Sequence, residues 1–296
     1  MEQELQGIVL NGHGGFYQVL LDKGVCQTCH LRGKLRLNDY EGVWAGDRVW
    51  ISIADDGGGM IEGIFPRRNF LLRPRIANVD QIVAVVAINN PPPDLLLIDK
   101  LLVAAEYQNI SPLICINKCD LDKKSLTESI IGVYQSVGYP LCVVSAVRGE
   151  NIDSLLSLLR GKISLLAGCS GVGKSSLINE LLPEADLEVG GISQRLQRGR
   201  HTTRYVSLLQ LAGGGLIADT PGFSLLDLPQ ELEPEQLPRV YPEFQRCGSC
   251  RFDGCSHDKE PDCAVKKAVE QGTIDTERYR RYLKILNELR DREVKY

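Results

Sequence analysis

The stretch CINKCD, residues 115–120, decides the fold, because its meaning depends on the motifs placed after it in the chain. It closes an apolar run, PLICIN, and carries the N-K-x-D spacing of a guanine-reading loop. A carboxylate at Asp120 can accept from both N1–H and the exocyclic N2–H₂ of guanine, a pair of donors that adenine does not present. Asn117 is placed to hold the loop and approach the base's other edge, while the Lys118 stem covers its face. One strand later LCVV is followed by Ser145 and Ala146, where a backbone N–H can meet guanine O6. Four residues alone are a weak signal. At the end of a buried-type strand, with a second base loop one strand on, they become a strong one.

The phosphate loop comes afterwards. GCSGVGKSS, residues 168–176, fits G-x-x-x-x-G-K-[ST] and lies between the apolar run ISLLA and the helical run SSLINELL, the context this motif requires. Backbone amides from Gly168 through Cys169, Ser170, Gly171, Val172 and Gly173 turn inward around an anion. The helix that opens at Lys174, Ser175 and Ser176 adds its positive end. Lys174 reaches the β- and γ-phosphates in a catalytic role, and the Ser175 hydroxyl binds Mg²⁺. Further on, DTPG at residues 219–222 ends the run GLIA. Asp219 is expected to hold Mg²⁺ through a water, and the Gly222 amide to sense the γ-phosphate. Between them lies QRGRHTTRY, where Thr203 (or Thr202) can complete the magnesium shell while triphosphate is bound.

Base loop, second base loop, phosphate loop, switch threonine, magnesium aspartate is therefore the order along the chain, and a conventional GTPase runs the last three first. In a parallel α/β sheet these loops share the carboxyl edge of the strands, so spatial order governs the site and chain order does not. Termini joined and a surface loop cut would leave it intact. The sequence predicts a circularly permuted P-loop GTPase with a mainly parallel sheet.

Phe223 comes directly after DTPG, where many GTPases have a water-positioning glutamine. His201 is the available substitute, as a water-orienting or proton-accepting imidazole. The other readings are that it packs or caps, or that a partner supplies catalysis.

Around this core the chain changes character twice. Residues 1–65 carry short apolar segments broken by glycine, such as QGIVLNG and GDRVWISI, which predict a small closed β-barrel. Barrels of this kind often bind oligonucleotides, and Arg32, Lys34, Arg36 and Arg48 either contact phosphates or are ordinary solvated charges. Residues 66–75, PRRNFLLRPR, read as a basic linker or an arm lying on something acidic. The GTPase is assigned residues 76–228. Residues 229–296 hold CGSCRFDGCSHDKEPDC and then a charged helical stretch with apolar residues at Tyr279, Tyr282, Leu283, Leu286 and Leu289, one narrow packing face. Cys250, Cys255, His257 and Cys263 are chosen as a tetrahedral zinc set, with Cys247 in reserve. All four positions are filled by protein, so one structural Zn²⁺ per chain is expected. Cys26 and Cys29 read as strand and turn thiols, with a second metal as the competing reading.

The chain has 296 residues, a formal net charge of −4, and 43% hydrophobic and 24% charged content, which is ordinary for a soluble protein. Its longest apolar runs are far too short to span a bilayer. The expectation is a cytoplasmic monomer with no membrane role.

The ensemble NKCD, SA, GCSGVGKSS, GRHTT, DTPGF and the cysteine-histidine cluster resembles the ribosome small-subunit-dependent GTPase family (RsgA, also called YjeQ), and it does so over essentially the whole chain. That resemblance implies an oligonucleotide-binding (OB) fold for the barrel and a helical zinc domain at the C-terminus. It implies GTP hydrolysis to GDP and phosphate, slow alone and stimulated by the small ribosomal subunit late in that subunit's maturation. The implied partners are that subunit with its rRNA, and GTP or GDP. The family's zinc ligands fall on the four residues already chosen, and its proposed catalytic histidine on His201. The competing function is a GTP-gated RNA-binding module with incidental turnover. The arginine-rich linker and RYRRYLK, through Arg67, Arg68, Arg278, Arg280 and Arg281, are the expected rRNA contacts.

Overall fold

A computed structural model describes residues 5–32, 42–55, 57–122, 125–182, 206–219 and 228–293. The chain packs as two compact units, one of residues 1–81, 155–166 and 177–223, the other of residues 82–154, 167–176 and 224–296.

In the first unit β1 (Leu5–His13), β2 (Phe16–Leu21), β3 (Cys26–Leu31), β4 (Arg48–Ile53) and β5 (Gly59–Ile64) close a barrel in the order β1-β2-β3-β5-β4. β3 and β5 pair in parallel, and β1 pairs antiparallel with both β2 and β4, which closes the ring. The interior is filled by alternate residues, Val9, Val19, Cys29, Val49, Ile51 and Ile61, as the period of two demands. Cys29 belongs to this core, where burial pushes its thiol up to about 11, whereas Cys26 is exposed. An offset of three places them on opposite faces of β3, so the second metal reading fails.

The arginine-rich segment lies on acidic groups of its own unit. It contains a hairpin, β6 (Phe70–Leu72) and β7 (Arg75–Ala77). Arg67 forks onto the buried Asp47 carboxylate at 2.7 and 2.9 Å, and Arg68 pairs with Asp80 at 2.7 Å.

The second sheet has six strands in the order β10-β9-β8-β11-β13-β12: β8 (Gln81–Ala87), β9 (Ser111–Asn117), β10 (Leu141–Val143), β11 (Ile163–Ala167), β12 (Ser207–Gln210) and β13 (Leu216–Asp219). β10 runs parallel to β9 and β11 parallel to β13, while β12 is antiparallel to β13 at the edge. Every residue of β8 and of β11 is buried, and all but Gln81 and Ser164 are apolar, as in strands covered on both faces. Helices α1 (Leu95–Tyr107), α2 (Leu126–Val137), α3 (Ile152–Leu159) and α4 (Lys174–Leu181) come after β8, β9, β10 and β11 in turn. Asp94 caps α1 by accepting from the Leu97 amide at 3.0 Å.

Beyond residue 228 come a short helical turn, α5 (Pro242–Gln245), then α6 (Ala264–Glu270) and the long α7 (Thr276–Glu293). They share a core of Leu237, Tyr241, Phe244, Ile274, Tyr282, Ile285, Leu286 and Leu289. Among the described residues no helix is long and apolar enough to cross a membrane.

Candidate nucleotide site and metal centre

Asn117 is the brace of the nucleotide loops. It ends β9 and is almost fully buried. Its Nδ2 donates to the Val172 carbonyl at 2.9 Å, and its Oδ1 accepts from the Ala146 amide at 3.1 Å. One side chain thus ties the base loop to the phosphate loop and to the second base loop, and the two bonds together fix which way the amide faces. Lys118, in the left-handed region at φ 62°, sends its amine to the Gly171 carbonyl at 2.7 Å and to the carbonyl of Asn90. Its stem therefore lies across the phosphate loop. The Ser145 hydroxyl donates to Asp120 Oδ1 at 2.6 Å, which leaves the other carboxylate oxygen for a base edge. Of the two amides that could meet guanine O6, that of Ala146 is bonded to Asn117.

In the phosphate loop the Lys174 amine donates to the carbonyls of Gly168 and Cys169 at 2.7 and 3.0 Å. That places a cation inside the turn, where burial lowers its pKa and so disfavours the charged form; an anion would reverse the penalty. Gly173 has a φ of 97°, and a Cβ there would lie 2.3 Å from Asn117 Nδ2. Glycine is required by both the backbone and the brace. Ser175 and Ser176 occupy the exposed first turn of α4. Asp219 stands at the carboxyl end of β13 with its pKa raised by burial, a setting in which a cation would favour its charged form. His201, Thr202, Thr203, Gly222 and Phe223 lie outside the described residues, as do Lys34 and Arg36.

Cys250, Cys255, His257 and Cys263 present ligand atoms that all lie within 4.8 Å of one another. Cys250 Sγ is 3.9 Å from Cys263 Sγ, close to the ~3.8 Å edge of a tetrahedron with metal–sulfur bonds of about 2.3 Å. His257 Nδ1 is 3.3 Å from Cys263 Sγ and 3.6 Å from Cys250 Sγ. Burial lowers the His257 pKa and keeps the imidazole neutral, the form that ligates. These four residues can hold a metal ion. Cys247 stands apart, its thiol donating to the Glu243 carbonyl at 3.4 Å.

The surroundings of the cluster carry residues that its spacing did not reveal. Glu260 accepts from the Ser256 hydroxyl at 2.7 Å and from the amides of Ser256 and Asp258, both at 2.9 Å, and these bonds, the hydroxyl's above all, hold its carboxyl down at about 2. Tyr279 donates to the His257 carbonyl at 2.6 Å, and Tyr282 donates to that of Ser256. The Phe244 ring meets His257 edge-on at 5.3 Å. A glutamate two residues before an aspartate and three before a ligand cysteine, in HDKEPDC, is the one hint the chain offered.

Three of the five arginines expected on RNA are structural. Arg278 is 2% exposed and joins Asp99 and Glu243; Arg281 bonds Asp99 from the other side; Arg67 is the partner of Asp47. Arg68 and Arg280 alone of the five expose about two thirds of their side chains, and both are paired to acids. Charge in a basic run is not the same as charge on a surface.

A model of the RsgA GTPase matches residues 64–229, and a model of the RsgA N-terminal domain matches residues 6–61. The chain belongs to the RsgA GTPase family. Relatives named small ribosomal subunit biogenesis GTPase RsgA in Caldanaerobacter subterraneus subsp. tengcongensis and Moorella thermoacetica are each 44% identical; the matches cover 98% of this chain and 98% and 99% of theirs. Among solved structures, YjeQ from Thermotoga maritima is 38% identical with a TM-score of 0.84, covering 97% of this chain and 98% of that one. YloQ, described as a circularly permuted GTPase, is 34% identical with a TM-score of 0.82, covering 98% and 96%. Family and fold agree with the loop order: this is a circularly permuted GTPase, a hydrolase of GTP.

Proposed function

We propose that the chain assists late maturation of the small ribosomal subunit, hydrolysing GTP to GDP and phosphate under that subunit's stimulation. The observation that carries the nucleotide part is the Asn117 brace, because one amide holds the base-reading loop against the phosphate loop. Asp120 reads guanine, with Asn117, Ser145 and Ala146 shaping the pocket and Lys118 covering the base. The loop from Gly168 to Ser176 takes the phosphates, Lys174 neutralises the β- and γ-groups, and Ser175, Thr203 and Asp219 complete the magnesium site. Gly222 senses the γ-phosphate and His201 orients water. The ribosomal part is supported by the relatives' names and by the barrel. Residues 1–65, 66–75, 76–228 and 229–296 act as barrel, linker, GTPase and zinc domain, in a cytoplasmic monomer.

Hydrolysis measured with and without purified small subunits tests this reading. Stimulation of many-fold is expected. A rate indifferent to subunits would leave a GTP-gated RNA-binding module as the better account.

Zinc is the ion proposed for Cys250, Cys255, His257 and Cys263, three soft thiolates and an imidazole. The segment beyond residue 228 buries an apolar core that it shares with Val103 of α1, so metal is needed chiefly by residues 250–263. Stripping the ion is expected to release one zinc per chain and to open that loop to protease while the circular-dichroism signal of α7 persists. A loop that stays protected after complete removal would refute the assignment.

A further inference from the structure

A cavity of about 230 Å³ in the first unit is lined by His13, Gly14, Tyr17, Trp44, Arg75 and Val206, with the remaining wall from neighbouring glycines, Val43 and Ala45. Among the described residues no carboxylate lines it. On Trp44 the Arg75 guanidinium lies 4.8 Å from the ring centroid. The Phe70 ring stands 6.4 Å from that of Trp44, and Arg67 sits 4.8 Å over Phe70. Cation, ring, ring and cation succeed one another in a row.

The row is held in place from the backbone. Asp47, fully buried, takes both the Arg67 fork and the Trp44 amide, the latter at 2.8 Å. The hairpin that carries Arg75 is bonded to the same stretch: the Ala77 amide donates to the Ala45 carbonyl at 2.9 Å, and Asn78 Nδ2 to that of Gly46 at 2.9 Å. Gly46 has a φ of 89°, and a Cβ there would lie 2.0 Å from the Ala77 carbonyl oxygen, so only glycine allows this approach. An indole and a planar cation fixed before any ligand arrives lose little freedom on binding.

We propose that this cavity receives one unstacked nucleobase of single-stranded RNA, held against Trp44 and Arg75. Aromatic rings and guanidinium planes are the surfaces on which splayed RNA bases stack. The volume lies below the ~300–1,000 Å³ of sites for drug-sized ligands and suits one ring system. Arg75 is solvent-exposed, so its charge also faces the phosphate beside the base. The inference rests on the proposed RNA partner and names where the barrel unit meets it.

The test uses the full chain with Trp50→Phe, which leaves Trp44 as the only indole of the two in the sequence. Short single-stranded RNA should quench Trp44 saturably, and adenosine monophosphate at equal nucleotide concentration should do so weakly. Arg75→Ala and Arg75→Lys should each lower RNA affinity roughly 5- to 150-fold, while Trp44→Phe, which keeps a ring, should retain most of it. Full affinity in Arg75→Lys would mean a charge contact and overturn the base pocket. Equal quenching by the monophosphate would make it a free-nucleotide site and overturn it as well. Absence of RNA quenching, with subunit-stimulated hydrolysis intact, would sink the pocket and spare the proposed function; absence of both would sink the two together.

Discussion

Asp120→Asn should convert the protein from a guanine to a xanthine enzyme. The wild-type carboxylate accepts the Ser145 hydroxyl through Oδ1, and an asparagine oxygen can take that role unchanged. The amide nitrogen then replaces the second carboxylate oxygen at the base edge. There it faces the N1–H and N2–H₂ donors of guanine with donors of its own, but meets a carbonyl acceptor at position 2 of xanthine. Two hydrogen bonds to a charged group are lost, at about 1.5–3 kcal/mol each. GTP affinity is therefore expected to fall by roughly 10²- to 10⁴-fold, with xanthosine triphosphate binding regained. Competition between the two triphosphates for the variant measures this directly. A variant that still prefers GTP would show that another residue reads the base.

Removing the Arg278 guanidinium should be the most destabilising single truncation in the segment beyond residue 228. It bonds Asp99 Oδ1 at 2.5 Å and both oxygens of Glu243, and it lies 5.0 Å from the Tyr241 ring centroid. Asp99 is itself fully buried in α1 and further accepts from Tyr134 at 2.8 Å and from Arg281. Take the arginine away and both carboxylates remain in a low-dielectric site, Asp99 with Arg281 alone and Glu243 without the guanidinium that faced it. Breaking a buried pair from one side costs about 3–5 kcal/mol, so Arg278→Ala should lower the urea midpoint by that equivalent. Arg278→Lys should recover little, because a point charge cannot fork to two acids at once. A loss below about 1 kcal/mol would mean that water reaches the network.

How much of the fold and the site is legible in the sequence depends on the range of the interactions involved. The phosphate loop, the base loops and the buried strands β8 and β11 are local patterns: a motif at fixed spacing, or five to seven mostly apolar residues. The four ligands of the metal cluster are local too, all within residues 250–263. The arginines mislead because their partners are remote. Arg278 and Asp99 are 179 positions apart, and nothing near either of them announces the other. Asp99 itself, one acid inside the apolar helix LLLIDKLLVAA, is the signal that points to a buried ionic partner. The hairpin of β6 and β7 is hidden for another reason: strands of three residues are too short to display a period, and prolines and arginines imitate a linker.

Helix α7 is fastened at both its flanks. Arg278 and Arg281 grip the acid of α1, while Tyr279, Tyr282 and Arg290 hold the turn that carries His257 and Asp258. It behaves as a splint between the enzyme's first crossover helix and its thiolate knot. Loosening the knot frees the splint to tilt, and a tilt cannot be absorbed without dragging on the helix next after β8. An ion held by that cluster would take no part in phosphate chemistry, yet it would help to set how stiffly the nucleotide half is framed.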